Sequence, residues 1–320
     1  MRIANSSVVV KPGDCFDHWH QVTCREFSQT ECRRIAREQF RARISIRTFG
    51  ALVINDIWSS TAAGDHVHVT RSPGDIRKDP RDYFMLWLTI GGEVVFAQNG
   101  RDVRMQKGDL VLHDQSQPFA LEFAEQSRSV MISIPRPLLT ARLPDAPRLT
   151  AFRIAGTSKL GALAGSVVRQ LTRLDDGIGD DAARQLGVSA LNIFATVLES
   201  ELTCDGTPSH GRERLTRVKR YILANLHDSE LDLNTIATAQ NMAPRTLNRL
   251  FACEGTTPIR WLWQQRLAAS YKAIAEGHIA QVTEAALSFG FSDVSHFSRA
   301  FKAAFGQSPH SVKGRHRPRS

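Results

Sequence analysis

Two segments of this chain repeat one helical plan at a fixed offset, and that repeat restricts the fold more than any other feature. In "LNTIATAQNMAPRTLNRLF" (233–251) a short helix holding Ile236 and Ala237 is expected to stop near Asn241, and a second to begin at Pro244. Asn tolerates the left-handed conformation that a tight turn needs, and Pro is favoured in the first turn of a helix. "VTEAALSFGFSDVSHFSRAFKAAF" (282–305) follows the same order. Ala286 takes the close-crossing position of Ala237, 49 residues earlier, while Gly290 makes the turn and Phe291 enters the core. Ser292 is the expected N-cap of the second helix, with Asp293 in its first turn favouring the positive end of the helix dipole.

Each repeat divides cleanly into two faces. At 100° per residue, Leu247, Leu250 and Phe251 share one side of the first unit's second helix, and Arg245, Asn248 and Arg249 share the other. In the second unit Val294, Phe297, Phe301, Ala304 and Phe305 form the expected core stripe. Ser295, His296, Arg299 and Lys302 then point away from it, and such side chains reach base edges and phosphates. The intervening "PIRWLWQQRLAASYKAIAEG" (258–277) reads as one long helix that sets the orientation of the two units. Units about 34 Å apart would enter successive major grooves of DNA.

Charge points the same way. The net charge is +9, and residues 212–320 hold 16 Lys+Arg against 8 Asp+Glu, so nearly all of the excess lies in the last third. A basic domain joined to a near-neutral one implies a polyanionic partner. The polar, turn-rich "TCDGTPSHGRER" (203–214) is the expected linker between them.

The run "GFSDVSHFSRAFKAAFGQSP", with "IATAQNMAPRTLNRLF" upstream and the helix between, resembles the DNA-binding domain of the AraC/XylS transcription regulators. The similarity covers about residues 213–316. It implies two helix-turn-helix units reading double-stranded DNA, with Arg245, Asn248 and Arg249 in the first recognition helix and Ser295, His296, Arg299 and Lys302 in the second. It also implies contact with RNA polymerase and an activator more often than a repressor. Two positions depart from the family pattern: Ala243 stands where a capping Ser is common, and Asn241 where the turn is often Gly. Both would make the first unit dock more loosely or at a different angle.

The first part of the chain has another period. "ALVINDIW" (51–58), "FMLWLTI" (84–90), "EVVFA" (93–97), "DLVLHD" (109–114) and "SVMISI" (129–134) read as short strands separated by turns such as "IGGE", "QNGRD" and "QKGD". A small antiparallel barrel over about 44–139 is expected. Leu160, Leu163, Val167, Leu171 and Leu174, then Ala183, Leu186, Ala190, Ile193 and Val197 after a Gly/Asp break, mark a helical hairpin over about 158–202. Its stripe is suited to packing on the barrel or on a second copy, so a homodimer is expected. The resulting fold class is α+β multidomain, with a sensor domain over 1–202, a linker over 203–213 and an all-α DNA-binding domain over 214–320.

Residues 81–139 resemble the cupin-like sensor domain of a subset of the same family, through "GG", "QNGR", "KGDLVLHD", "QPF" and "IPRPLL". That resemblance implies a barrel that binds a small organic effector or mediates dimerisation. Trp58, Arg71, Trp87 and His113 are the candidate pocket residues, and an inward Arg71 would pair a carboxylate. A regulator with no small-molecule ligand, controlled by abundance or by a protein partner, is the alternative.

A metal-dependent cupin enzyme is the remote alternative. "GDHVH" (64–68) sets His66 and His68 on one strand face, with His113 on a later strand, but no Glu follows His68, and Val111 stands where the second motif's His would be. In "CFDHWHQVTC" (15–24), Trp19 between His18 and His20 reads as an aromatic anchor. Neither metal nor cofactor is expected. The five cysteines are scattered without a CxxC and are expected to be reduced. No 18-residue apolar run and no cleavable leader are evident, so no membrane partner and a cytoplasmic location are expected.

Overall fold

The computed structural model of the chain describes residues 6–9, 15–21, 23, 28–34, 40–123, 125–174, 177–204, 210–252 and 255–314. It divides into two compact units, Met1–Thr203 and Cys204–Ser320. Among the described residues no helix is long and apolar enough to cross a membrane.

The first unit is built on two antiparallel sheets. Its strands are β1 (Ser6–Val9), β2 (Glu31–Arg34), β3 (Arg41–Phe49), β4 (Leu52–Ser60), β5 (Val67–Arg71), β6 (Tyr83–Gly91), β7 (Val94–Gln98), β8 (Arg101–Met105), β9 (Leu110–Asp114), β10 (Phe119–Phe123), β11 (Gln126–Pro135) and β12 (Arg153–Ile154). Seven pair in the order β1-β3-β4-β11-β6-β9-β12, and five in the order β2-β5-β10-β7-β8. The five strands legible in the sequence are β4, β6, β7, β9 and β11. The "QNGR" turn joins β7 to β8 with Asn99 at φ 54° and Gly100 at φ 71°. Two left-handed residues in succession form the hairpin turn whose twist matches its strands.

The centre of the large sheet, β6, β9 and β11, is buried on both faces, which is why β6 and β9 read as continuous apolar runs. Met85, Trp87, Val111 and Met131 face the small sheet and form one core with Val69, Phe96 and Leu121. Leu86, Leu88, Leu110, Leu112, Ile132 and Ile134 alternate with them and are also buried. Helices of this unit are α1 (Cys15–Gln21), α2 (Pro73–Lys78), α3 (Arg136–Thr140), α4 (Lys159–Leu171) and α5 (Asp180–Cys204). Trp19 of α1 is buried and packs edge-on against Phe40, 5.3 Å between centroids, as an anchor should.

The hairpin packs by a different stripe from the one expected. On α4 the buried residues are Gly161, Ala164, Gly165, Val168 and Leu171, while Leu160 and Leu163 are 37% and 49% exposed. Gly165 faces Leu88 of β6, where an added Cβ would make an ordinary contact at 3.5 Å. At Gly187 of α5 a Cβ would sit 2.3 Å from Phe49 O, so there the missing side chain is what permits the close approach. Leu186 is correspondingly exposed, whereas Ala190, Leu191, Phe194, Val197 and Leu198 are buried. A wheel that weights Leu above Gly picks the wrong face when close approach decides.

The second unit is helical: α6 (His210–Ala224), α7 (Leu233–Ala239), α8 (Pro244–Ala252), α9 (Pro258–Ala275), α10 (Val282–Ser288), α11 (Val294–Phe305) and α12 (Pro309–Gly314). Helix therefore occupies both ends of the expected 203–213 linker, and 205–209 lie outside the described residues. Leu215, Val218, Ile222, Ile236, Leu247, Phe251, Trp261 and Leu262 make the core around the first helix pair. Around the second, Phe297, Phe301 and Phe305 stack edge-on in turn, with Tyr271 of α9 against the last two.

Candidate DNA interface and effector cavity

The two helix pairs close with the same backbone bond. Met242 N–H donates to Ala237 O at 2.9 Å, and Phe291 N–H donates to Ala286 O at 3.0 Å. Both turns pass through a left-handed residue, Asn241 at φ 51° and Gly290 at φ 72°. All three positions keep the 49-residue offset, so the repeat in sequence is a repeat in geometry. Asn241 thus performs the turn that Gly performs in the second unit.

The N-cap of α11 is Asp293 rather than Ser292. Its carboxylate accepts from Ser295 N–H at 2.7 Å, and Ser292 is exposed one residue outside the helix. A carboxylate at that position satisfies an end donor and meets the positive helix terminus at once.

The outward faces of α8 and α11 are open. Arg245, Asn248 and Arg249 on α8 are exposed, while Leu247 and Phe251 are fully buried. Ser295, His296, Arg299 and Lys302 on α11 are exposed, opposite Phe297 and Phe301. Ala304, placed with the core by the wheel, is exposed, and Phe305 is half-buried. His296 rests edge-on against Trp263 at 6.1 Å, which restrains its ring while leaving it accessible.

Arg266 couples the two pairs from the middle of α9. It is 1% exposed, donates from Nε to Leu226 O at 3.1 Å and from Nη2 to Asp228 O, and lies over the Trp263 ring at 4.7 Å. Burial lowers its pKa, against the opposing charge of Asp228. The same guanidinium borders Gly290. One side chain thereby fixes the loop before α7 against the turn of the second unit.

A cationic stripe escaped the sequence reading. Arg217 and Arg220 of α6 are exposed and line an open groove of about 650 Å³ with Tyr221, Gln240 and Asn241 of the first turn. Their spacing, with Arg214 one turn earlier and Leu215, Val218 and Ile222 on the other face, was the available signal. Such a groove suits a phosphate.

In the first unit a cavity of about 60 Å³ lies between the sheets. Of the four candidate effector residues, the structure brings Trp87 and His113 to its wall and leaves Trp58 and Arg71 off it. Trp58 is 36% exposed because Ile57 and Ser59, its neighbours on β4, are the ones that face inward. Arg71 does point inward, at 1% exposure, but its guanidinium is spent on carbonyls. Nε donates to Gln115 O at 3.0 Å, Nη1 to Gln29 O at 2.6 Å and Nη2 to Asp79 O at 2.6 Å. Three of its five N–H donors are so engaged, and the side chain is not on the cavity wall.

His113 is stacked between Phe119 and Phe96, with centroids at 4.8 and 5.0 Å, and its Nε2 lies 3.0 Å from Gln115 Nε2. Burial pulls its pKa down to about 3, more than Asp114 offsets. Below about pH 6.5 the unfolded chain takes up a proton that the folded ring refuses. The contribution of His113 to stability is therefore whole above pH 6.5 and is lost by up to about 1.4 kcal/mol per unit as the pH drops toward 3. Urea unfolding of the wild type and of His113→Gln between pH 7 and pH 5 is expected to show a steeper loss in the wild type.

His68 on β5 and His66, one residue before that strand, lie on the same side, and β10 supplies the carboxylate absent from the local sequence. Their Nδ1 atoms lie 2.8 and 3.5 Å from Glu122, on the partly exposed outer side of the small sheet and away from the cavity. Among the described residues no group of three or more His, Cys, Asp or Glu is arranged to hold a metal ion. His20 stacks on Phe16 at 6.2 Å, and the His18 side chain lies outside the described residues.

Residues 19–199 match the AraC-binding-like domain, and residues 236–315 match a helix-turn-helix domain. The chain is 37% identical over 278 residues to the transcriptional activator NphR of Rhodococcus sp, covering 85% of this chain and 81% of that protein. It is 22% identical over 241 residues to a XylDLEGF operon transcriptional activator of Pseudomonas putida, covering 71% and 73%. The crystal structure of the AraC-like transcriptional activator CuxR shares the fold, with a TM-score of 0.55 at 16% identity over 84% of this chain and 96% of that one. Two copies of one turn, open cationic faces beside them and a two-sheet domain ahead of them find one common account in these matches. The chain belongs to the AraC/XylS family of DNA-binding transcriptional activators, which are regulators and not enzymes.

Proposed function

We propose that the protein activates transcription in response to a small organic effector held in the first unit, and reads its operator with α8 and α11 in successive major grooves. The observation that carries the DNA part is the matched pair of turns, each presenting an exposed polar face of Arg, Asn, Ser or His opposite a buried aromatic or leucine stripe. Arg249 and Arg299 have the fork geometry that grips guanine, and Lys302, with Arg217 and Arg220, holds phosphate. The basic tail "KGRHRPR" (313–319) adds phosphate contacts in this reading, and its residues from 315 on lie outside the described residues. Leu160, Leu163 and Leu186, left exposed by the packing of α4 and α5, support self-association as a homodimer. A bound activator of this kind acts by touching RNA polymerase.

Arg299→Ala is expected to weaken operator binding by about 1–3 kcal/mol and to relax preference at one base position. Neutralising the tail instead weakens all sequences alike and flattens the salt dependence. Fluorescence anisotropy on operator and random duplexes at several salt concentrations separates the two. Unchanged specific and nonspecific affinity in Arg299→Ala would sink the assignment of α11 as a reading helix.

A further inference from the structure

The cavity between the sheets has polar atoms with nothing to bind. Trp87 Nε1, His113 Nδ1, Gln115 Oε1 and Ser129 Oγ are buried without a hydrogen-bond partner among the described residues, and all four side chains line the same cavity. Strand register sets them side by side: Trp87 is paired with Met131, and Met85 with His113, while Ser129 sits across from Thr89 on the next row. Unmet buried donors and acceptors are costly, so several on one cavity wall call for something in the cavity that satisfies them. The set is mixed. The Gln115 amide donating to His113 Nε2 leaves the ring proton on Nδ1 as a donor and Gln115 Oε1 as an acceptor.

Among the described residues the wall carries no Asp, Glu, Lys or Arg. Arg71, the cation that could have served, is committed to three carbonyls. His113 stays neutral, since burial holds its pKa near 3. An anion placed here would lose its hydration and gain no countercharge. The remaining wall is aromatic and aliphatic. The free space of about 60 Å³ is less than the roughly 150 Å³ that holds a benzene ring, and the flexible thioethers of Met85 and Met131 are the side chains able to yield the difference.

We propose that this cavity binds a small uncharged molecule with one planar apolar body and one group that both donates and accepts hydrogen bonds, such as a hydroxyl or a carboxamide, and rejects the carboxylate of the same shape. The proposal rests on the effector reading above and names the chemistry of that effector. The apolar body lies among the rings, and its polar group meets Ser129, Gln115 and the His113 and Trp87 ring protons.

The test uses the full chain and a shape-matched pair, benzamide and benzoate, with benzyl alcohol as a second neutral probe. Melting temperature and tryptophan emission are followed as each is titrated at pH 7.5, since a ligand stabilises the state it binds. Benzamide or benzyl alcohol is expected to raise the melting temperature and perturb the emission, with benzoate at least about tenfold weaker. Ser129→Ala and Gln115→Leu, each removing a polar partner without enlarging the side chain, are expected to weaken the neutral probe by about five- to tenfold.

Benzoate binding as tightly as benzamide overturns the uncharged class while leaving an effector site in place. Silence from all three probes also overturns the proposed class, and Ser129→Val, which narrows the cavity by about one methyl group, then decides the reading beneath it. If that variant folds and drives a reporter as the wild type does, the effector reading falls as well, and control by abundance or a protein partner takes its place. If reporter output changes, an effector of other chemistry stands.

Discussion

Gly290→Val is expected to destroy specific DNA binding while the first unit stays folded. At φ 72° a β-branched residue is strained, and its Cβ would meet Arg266 Cζ and Nη2 at 2.8 Å and Leu226 O at 2.9 Å. The carbonyl cannot withdraw, and Arg266 cannot swing away without breaking its bonds to Leu226 O and Asp228 O. Backbone strain and overpacking together cost about 3 kcal/mol or more, a large part of what a domain this size has in hand. Asn241→Gly, at the equivalent turn with φ 51°, is expected to change stability by less than about 1 kcal/mol. Urea melts and operator binding of both variants check this, and a Gly290→Val protein with wild-type stability would show that the two turns do not share one geometry.

Arg71→Met is expected to unfold the first unit more readily by about 3 kcal/mol or more without altering the melting of the second. It strands three inward carbonyls, on Gln29, Asp79 and Gln115, that have a charged donor in the native fold. Arg71→Lys is expected to recover little, because an ammonium cannot span three acceptors arranged for a planar fork. Burial lowers the Arg71 pKa and the charge of Asp79 partly restores it. Calorimetry of the full chain reads the loss. A variant that melted normally but lost its response to effector would instead return Arg71 to the ligand site.

The helical unit was legible because its signal is local. The turn residues Asn241 and Gly290, the small residues Ala237 and Ala286 and the wedges that follow them lie within a few positions of one another, and the second copy removes the ambiguity of the first. Even there, details passed to the structure. Ser292 and Asp293 are adjacent residues with equal capping chemistry, and backbone geometry chose Asp293. The stripe Arg214, Arg217 and Arg220 gained meaning only when α6 was seen beside the first turn.

The sheet unit was legible only in its strands. β8 and β10 are five residues long and carry charges on their outer faces, so neither makes an apolar run of its own. Trp58 and Trp87 look alike as aromatic strand residues, yet strand alternation turns one to solvent and the other into the cavity. Glu122 reaches His66 and His68 from 54 residues away along the chain, counted from His68, through strand pairing alone.

By itself the sequence determined the number and order of the units, the repeat of the helix-turn-helix plan, the residues that face outward on the second helix of each pair and the location of the excess positive charge. These follow from periodicity and turn chemistry, which act over a few residues. Tertiary structure alone decided which face of α4 meets the sheet, that Arg71 donates to three backbone carbonyls off the cavity wall, and that Trp87, His113, Gln115 and Ser129 converge on one cavity. The reason is the period of two along a strand and the close approach of glycine-bearing helices: a shift of one residue reverses a face, and only contact across the fold fixes which phase is kept.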